Sequence, residues 1–206
     1  MGTKIINLKE NNLQELPILC RTCLYWEGVQ RSEADLSVEE AESLKIAHLK
    51  SILSEWGECG VSIIEDREPL GYACYGPSKH FPRIKGYRTG PVSDDAIFLA
   101  CLYISPTSRG KSLGRQLLEK VEKKLHKRNF KAIETFANNT PDEAPSSPVE
   151  FYLRNGFFIL RDDREFPLMR LDIKTIVSWQ ESVEAALDSL ALPLKRKAVK
   201  KALVPL

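Results

Sequence analysis

The chain has 206 residues, of which 43% are hydrophobic and 28% are charged, and its formal net charge at pH 7 is +2. These values are ordinary for a soluble globular protein, and the near-neutral charge gives no strong bias toward nucleic acids or acidic membranes. No apolar run approaches the ~18 residues of a transmembrane helix, and the first residues lack an apolar signal core, so we expect a cytoplasmic protein without a membrane partner.

The first elements in chain order are a strand, a short helix and a long helix. Residues 3–8, TKIINL, favour a strand, and residues 15–28 favour a short helix followed by a loop. Ser37 and Glu40 have the spacing of a capping box, and Gly57 suits the end of the helix that this box would begin. The apolar stripe predicted for this helix consists of Val38, Ala41, Leu44, Ile46, Leu49, Ile52, Leu53 and Trp56.

A hairpin, a long loop and a buried strand are predicted next. Two β-rich runs flank residues 65–69, EDREP, which predicts a hairpin around a polar turn. Residues 77–95 are rich in proline, glycine and charge, and a loop of this length in a compact domain is often functional. Residues 96–104, AIFLACLYI, are almost continuously apolar, so we expect a central strand that is covered on both faces.

A crowded turn follows this strand. Ser105 and Pro106 interrupt the apolar run, residues 109–114 read RGKSLG, and a helical pattern begins at once. The first turn of a helix has N–H groups without an internal partner, and small residues let a ligand approach them closely. Such a turn can bind a phosphate, although an ordinary surface connection between a strand and a helix would have a similar sequence. The apolar face of the predicted helix is Leu113, Leu117, Leu118, Val121 and Leu125.

The remaining elements complete a mixed fold. The sequence predicts a strand at 131–137, a proline-rich loop at 138–148 and a short helix that ends at Gly156. Residues 157–162 and 166–173 predict a last antiparallel pair of strands. This order of elements indicates an α/β (α+β) fold, in which helices cover the faces of one sheet.

The C-terminal residues form a separate segment. We expect a first domain at 1–173 and a C-terminal helical extension with a basic tail at 174–206. Residues 174–191 have an amphipathic pattern that would pack on the core or on a second copy of the chain, so a homodimer is left open. Residues 194–201, LKRKAVKK, could contact nucleic acid or an acidic partner, but a basic helix end is usually only solvated, and we expect no nucleic-acid partner.

The order of elements and two motifs resemble the GNAT superfamily of acetyl-CoA-dependent N-acetyltransferases. That family carries Arg/Gln-x-x-Gly-x-Gly/Ala at the turn, where Arg109 and Gly114 match the ends and Ser112 replaces the middle glycine. Residues 151–158, FYLRNGFF, resemble the family's Phe-Tyr-x-x-x-Gly-Phe segment, and residues 169–173, MRLDI, resemble the end of its last strand. The resemblance implies a three-layer fold with a mixed, mostly antiparallel central sheet and helices on both faces.

The resemblance to the superfamily covers roughly residues 3–173. Near the start of the chain, a short segment also resembles one subgroup of that superfamily. Residues 20–27, CRTCLYWE, resemble a Cys-x-x-Cys-x-x-Trp-Glu segment of a bacterial subgroup of the superfamily. The family resemblance implies an enzyme that moves an acetyl group from acetyl-CoA to a primary amine of a small molecule or peptide, by direct transfer in a ternary complex. The alternative is a non-catalytic acyl-CoA-binding or regulatory module on the same fold.

The resemblance also implies which residues hold acetyl-CoA. The pyrophosphate would lie over the amides of residues 110–115, the pantetheine arm would pair with the backbone of residues 102–104, and Asn138 or Asn139 would contact that arm. The N–H of residue 103 or 104 would be the oxyanion donor. The predicted cofactor-binding residues are Leu102, Tyr103, Ile104, Arg109, Gly110, Lys111, Ser112, Leu113, Gly114, Arg115, Asn138 and Tyr152.

Three residues are predicted to be catalytic. By resemblance, Tyr152 falls beside the thioester sulfur, and a phenol with a pKa of ~10 is a sensible proton donor to a thiolate, although a packed core tyrosine is the alternative. Glu27 and Glu134 are the candidates for the general base, and each could instead be an ordinary surface glutamate. The resemblance implies a further alternative, because family members often use a water chain near the acceptor amine.

The remaining candidates belong to the acceptor side. Cys20 and Cys23 are half a zinc site with no second pair at ligand spacing, so we expect no metal and interpret them as semi-buried thiols under the acceptor site. Trp26 is interpreted as a hydrophobic anchor, His48 as a surface residue, and His80 as a loop residue that could line the acceptor side. The loop at 77–95 slightly favours an acceptor with negative charge, because it carries Lys79, Arg83, Lys85 and Arg88.

Overall fold

The computed structural model describes residues 2–28, 36–139 and 146–173. Its centre is a seven-stranded sheet with the strand order β1-β2-β3-β4-β5-β7-β6. The β4–β5 pair is parallel and the other pairs of these strands are antiparallel, which confirms the predicted mixed, mostly antiparallel sheet. The strands are β1 Lys4–Asn7, β2 Gly60–Glu65, β3 Glu68–Gly76, β4 Ala96–Ile104, β5 Ala132–Phe136, β6 Phe158–Arg161 and β7 Leu168–Asp172.

Helices lie on both faces of this sheet. A buried cluster joins residues of α1 and α2 to Tyr72 and Cys74 on β3, while α3 contacts β2, β3 and β4. Among the helices that the structure describes, none combines the length and hydropathy needed to cross a bilayer. The predicted extension at 174–206 lies outside the described residues, so the division into two domains stays a prediction. The helices are α1 Ile18–Thr22, α2 Val38–Trp56, α3 Leu113–Lys127 and α4 Val149–Arg154.

Helix α2 begins and ends where the sequence predicts. The hydroxyl of Ser37 accepts a hydrogen bond from the Glu40 amide at 3.2 Å, and the Glu40 carboxylate accepts one from the Ser37 amide at 2.9 Å. Gly57 takes a left-handed φ of 86°, which only glycine adopts without strain, and its amide donates to the Leu53 carbonyl.

The predicted apolar stripe of α2 is wrong in part. Val38 and Leu44 are 60% and 42% exposed. Residues three or four apart lie on the same side of a helix. The buried residues of α2 have this spacing, and one of them is Lys45, which the predicted stripe did not include. The buried residues of α2 are Ala41, Lys45, Leu49 and Ile52.

Strands β4 and β5 separate along their length. Strand β4 pairs with β3 from Phe98 to Ile104, with a register shift near Cys101. Its parallel pairing with β5 covers only residues 96–98. After β5 the chain turns away, and Asn138 forms an isolated bridge with Pro148. The backbone of β4 beyond Phe98 is therefore not paired with β5, and a gap opens between the two strands.

Candidate functional site

A cleft of about 1010 Å³ lies at the gap between β4 and β5. Its walls come from β4, the turn before α3, the segment before α4, and α1 with the residues that follow it. Every predicted cofactor-binding residue lines this cleft except Lys111 and Tyr152. Lys45, Tyr72 and Cys101 are among the lining residues that sequence reasoning did not assign to the site.

The start of α3 presents backbone amides at one end of the cleft. Ser112, the residue before the helix, makes no side-chain capping bond, and the first turn of α3 contains no acidic residue. Gly110 and Ser112 have φ values of 79° and 59°, so two residues of the turn are left-handed. For a serine this conformation costs roughly 1–2 kcal/mol, and such strain is commonly found at functional sites. The arrangement suits an anion that accepts hydrogen bonds from these amides.

Cationic side chains surround the same turn. The Nε atom of Arg109 donates to the carbonyl of Ile104 at 3.3 Å, which ties the turn to the end of β4. Arg115 pairs with Glu119 one helical turn later at 2.9 Å, and its side chain is 67% exposed. Lys111 is exposed beside the cleft. The charge at this end is therefore positive and accessible to solvent.

Gly114 lies at a close contact between α3, α4 and β4. A Cβ atom at this position would lie 3.2 Å from Cε2 of Phe151 and 3.4 Å from Cδ2 of Leu102. The missing side chain lets the first turn of α3 approach both α4 and β4. The motif glycine therefore shapes the wall of the cleft.

Tyr152 is buried behind this wall. Its ring is 1% exposed. Burial raises the pKa of Tyr152 above its ordinary value, although hydrogen bonds with Thr135 and Ser147 oppose that shift, so the phenol keeps its proton at neutral pH. Ser147 lines the cleft and donates to the carbonyl of Leu102 at 3.2 Å. Tyr152 does not line the cleft itself, but it hydrogen-bonds with Ser147, which does. Its role as general acid stays a prediction.

Glu27 forms a buried ion pair at the opposite end. Its Oε1 atom lies 2.6 Å from Nζ of Lys45 and 3.8 Å from Nε2 of His48. Burial disfavours the charge on Lys45, but the Glu27 carboxylate outweighs this effect and raises the pKa of Lys45. Burial lowers the pKa of His48, whose side chain is 17% exposed and faces Glu27. The expectation that His48 is a surface residue is therefore wrong.

Glu134 occupies a different environment. Its side chain is fully buried, and its two oxygens accept from Nη1 of Arg170 and from the amide of Ser93, both at 2.8 Å. Glu134 is not among the residues that line the cleft. The structure therefore brings Glu27, but not Glu134, next to a lining residue, and the role of either as base stays a prediction.

Three thiols and a tryptophan line the cleft together with Lys45. Cys20, Cys23 and Cys101 line the cleft, and burial raises the pKa of Cys23 so that it stays a thiol at neutral pH. Trp26 also lines the cleft and is 3% exposed, with its ring stacked on Tyr87 and edge-on to other aromatic rings. This packing is that of an anchor. His80 does not line the cleft, and no group of three or more metal-ligating side chains occurs in the described parts of the chain.

The cleft reaches both faces of the sheet. Leu102 approaches Gly114 on the α3 side. Cys101 and Tyr103 alternate with Leu102 along β4 and pack in the cluster that contains α1 and α2 residues. The amides at the start of α3 therefore lie at one end of the cleft. The other end is the chamber lined by Lys45, Cys20, Cys23 and Trp26.

Comparisons with known proteins agree with this geometry. A sequence model described as the acetyltransferase (GNAT) family matches residues 23–157. A crystal structure of PaiA N-acetyltransferase from Thermoplasma acidophilum in complex with coenzyme A is 19% identical, with a TM-score of 0.57 over 84% of this chain and 99% of that chain. A GNAT-family acetyltransferase from Staphylococcus aureus Mu50 is 14% identical, with a TM-score of 0.56 over the same shares.

A search of curated proteins gives no match. At these identities the solved structures establish the fold, and the family model, which spans more than half of the chain, establishes the family. The chain belongs to the acetyltransferase (GNAT) family, and it is an acyltransferase.

Proposed function

We propose that the protein moves an acetyl group from acetyl-CoA to a primary amine of a small molecule or peptide, by direct transfer in a ternary complex. The observation that carries this proposal is the continuous cleft, which joins the amides of α3 to the chamber at Lys45. Direct transfer requires that both substrates lie in one site. The coenzyme A complex of the Thermoplasma protein supports the choice of donor.

The residues at the α3 end fit a nucleotide diphosphate. The amides of residues 110–115 would bind the pyrophosphate, with Arg109, Lys111 and Arg115 as cations nearby. The backbone of residues 102–104 is not paired with β5 and would bind the pantetheine arm, which Asn138 also faces across the cleft. Once bound, acetyl-CoA supplies an activated thioester.

Side chains of this protein would then move the protons. The amide of Tyr103 or Ile104 would stabilise the developing oxyanion, which is typically worth ~3 kcal/mol of barrier. Tyr152, whose pKa is raised by burial, would return a proton to the leaving sulfur. Glu27 is the better-supported base, because its Oε2 atom is buried without a partner among the described residues. Glu134 is already paired with Arg170.

The segment at 20–27 supports a finer assignment. Cys20, Cys23 and Trp26 line the cleft, and Glu27 stands behind it. We therefore also propose the bacterial subgroup that carries Cys-x-x-Cys-x-x-Trp-Glu, with this segment as a wall of the acceptor site.

An acceptor screen tests the proposed function. Purified protein, acetyl-CoA and a broad panel of amines are followed by release of free thiol, and mass spectrometry shows whether the amine gains an acetyl group. For a real acceptor we expect Tyr152→Phe to lower kcat by ~100-fold with little change in KM. Tyr75→Phe is the matched control, because Tyr75 is also buried but hydrogen-bonds to Glu58 away from the cleft.

Two outcomes would contradict these assignments. Full activity of Tyr152→Phe would remove Tyr152 from the acid role and leave the transfer itself intact. Thermal stabilisation by CoA, without thiol release for any amine, would favour the non-catalytic acyl-CoA-binding module instead.

A further inference from the structure

The inner end of the cleft contains a buried ion pair. The side chains of Glu27 and Lys45 are 4% and 6% exposed, and their charged atoms are 2.6 Å apart. Removing two charges from water costs several kcal/mol per ion, and a well-packed apolar pair would often be more stable. Lys45 also lines the cleft, and Glu27 lies directly behind it. Ion pairs that are costly for stability and lie in a cleft are candidates for ligand recognition.

Both members of the pair, and a neighbour, have bonding capacity left. Oε2 of Glu27 and Nε1 of Trp26 are buried without a hydrogen-bond partner among the described residues. The ammonium of Lys45 has three N–H donors, and the carboxylate of Glu27 takes one of them. Buried polar atoms are normally bonded, so these atoms call for a ligand that accepts from Lys45 and Trp26 and donates to Glu27.

The charges around the pair sum to zero. Burial lowers the pKa of His48 and raises the pKa of Cys23, so both are neutral at pH 7, and the charge of Lys45 cancels that of Glu27. A ligand with a single charge would pair with only one of the two residues, and the charge of the other residue would stay buried without a counter-charge. A zwitterion would meet both members, with its ammonium on Glu27 and its carboxylate on Lys45.

We propose that the acceptor is a free amino acid, bound as a zwitterion by Glu27 and Lys45 with the indole N–H of Trp26. This inference rests on the proposed function, because it names the acceptor of that same site. The ammonium gives one proton to Glu27, and its nitrogen forms a bond to the acetyl carbon as the carbon–sulfur bond breaks. Tyr152 gives its proton to the leaving sulfur and is protonated again by the second proton that the nitrogen loses.

Matched analogues test the role of the carboxylate. Each free amino acid is compared with its decarboxylated amine and its carboxamide as acceptor. We expect at least one amino acid to be acetylated with a kcat/KM ~100-fold above those of its two analogues, since an unpaired buried charge is costly. Peptide amino groups and diamines, which lack a carboxylate beside the amine, should behave like the analogues.

Variants on α2 test the role of Lys45. Lys45→Met should raise the KM of the amino acid. The kcat/KM for the amino acid, divided by the kcat/KM for its decarboxylated amine, should then fall close to one. Lys50→Met is the control, because Lys50 is on the same helix but exposed, where it pairs with Glu10. We expect that control to keep the ratio of the wild type. A purely structural role of Lys45 would lower activity toward both acceptors equally and would overturn the assignment.

A second variant covers the case in which Lys45→Met does not fold. The double variant Lys45→Met/Glu27→Gln removes both charges and leaves no unpaired ion in the site. Its readout is calorimetric binding of the amino acid to protein saturated with CoA, and we expect a ~100-fold loss of affinity. Unchanged affinity would contradict the proposal.

Failure of this inference is distinct from failure of the proposed function. If CoA binds and amines without a carboxylate are acetylated as well as amino acids, or if no free amino acid is acetylated, the zwitterion site is wrong and transfer to another amine is untouched. If neither CoA nor acetyl-CoA binds in calorimetry, the proposed function is wrong and the inference is wrong with it.

Discussion

The ion pair between β5 and β7 allows the two candidate bases to be told apart. Glu134 is fully buried and lies 2.8 Å from Arg170, whose guanidinium also binds Asp95 and Asp172 at 2.9 and 2.8 Å. Glu134 accepts a second bond from the amide of Ser93. We predict that Glu134 stabilises the fold and that its removal leaves catalysis intact.

The magnitudes follow from these contacts. Arg170→Met leaves the Glu134 carboxylate buried and unpaired, which costs roughly 3–5 kcal/mol. Glu134→Gln keeps the bond from Ser93 and loses a charged bond, which costs roughly 1.5–3 kcal/mol. At about 2–4 °C per kcal/mol for a chain of this size, the expected losses in Tm are roughly 6–20 °C and 3–12 °C. The double variant should cost less than the sum, because the two residues share one interaction.

Urea unfolding and acceptor kinetics, measured on the same preparations, provide the assay. We expect Glu134→Gln to lower the free energy of unfolding while kcat/KM per folded molecule stays within about twofold. Arg164→Met, at an exposed arginine between β6 and β7, should change neither quantity. The reasoning is refuted if Glu134→Gln keeps the stability of the wild type but loses kcat by ~100-fold, since Glu134 would then be the base.

Two other predictions concern α3. Gly114→Ala places a Cβ 3.2 Å from the ring of Phe151, so we expect about 1–2 kcal/mol lower stability in urea and weaker CoA binding, whereas Gly86→Ala, where no atom lies within 4 Å of the added Cβ, should do neither. Burial raises the pKa of Glu122 from 4.5 to about 7, so the folded chain holds a proton there that the unfolded chain has lost, and stability falls as the pH rises from 4.5 to about 7. Glu122→Gln should remove that fall and gain roughly 3 kcal/mol at pH 8, and an unchanged pH profile of the unfolding free energy would contradict the assignment.

Helix α2 shows what the sequence could and could not predict about the fold. Its ends were predicted correctly, because the capping box and Gly57 act within a few residues of themselves. Its inner face was predicted incorrectly at Lys45. The signal was present, since Lys45 lies four residues from both Ala41 and Leu49, but a lysine is almost never buried unless it is paired. Its partner, Glu27, belongs to a segment 18 residues away, and no local pattern predicts that contact.

The same contrast separates the two ends of the cleft. The α3 end is built by one contiguous stretch, residues 109–115, so a short motif was enough to point to it, and its role in binding CoA stays a prediction. The other end is assembled from α1, α2, β3 and β4 through Cys20, Lys45, Tyr72 and Cys101. Residues that meet only after folding have no spacing signature. The sequence therefore predicted two thiols, a tryptophan and Glu27 there, but not Lys45, which pairs with Glu27.

The two ends of the cleft differ in their exposure to water and in their charge. The end of the cleft at α3 is exposed and positive, and it uses backbone amides that do not depend on side-chain identity. It can hold the constant part of a reaction, an anionic carrier, in the screening environment of water. The end at Lys45 is buried, and its charges balance. There each charge is desolvated, so an unpaired charge costs far more than at the surface. This cost is the physical reason why we propose that Glu27 and Lys45 select the acceptor.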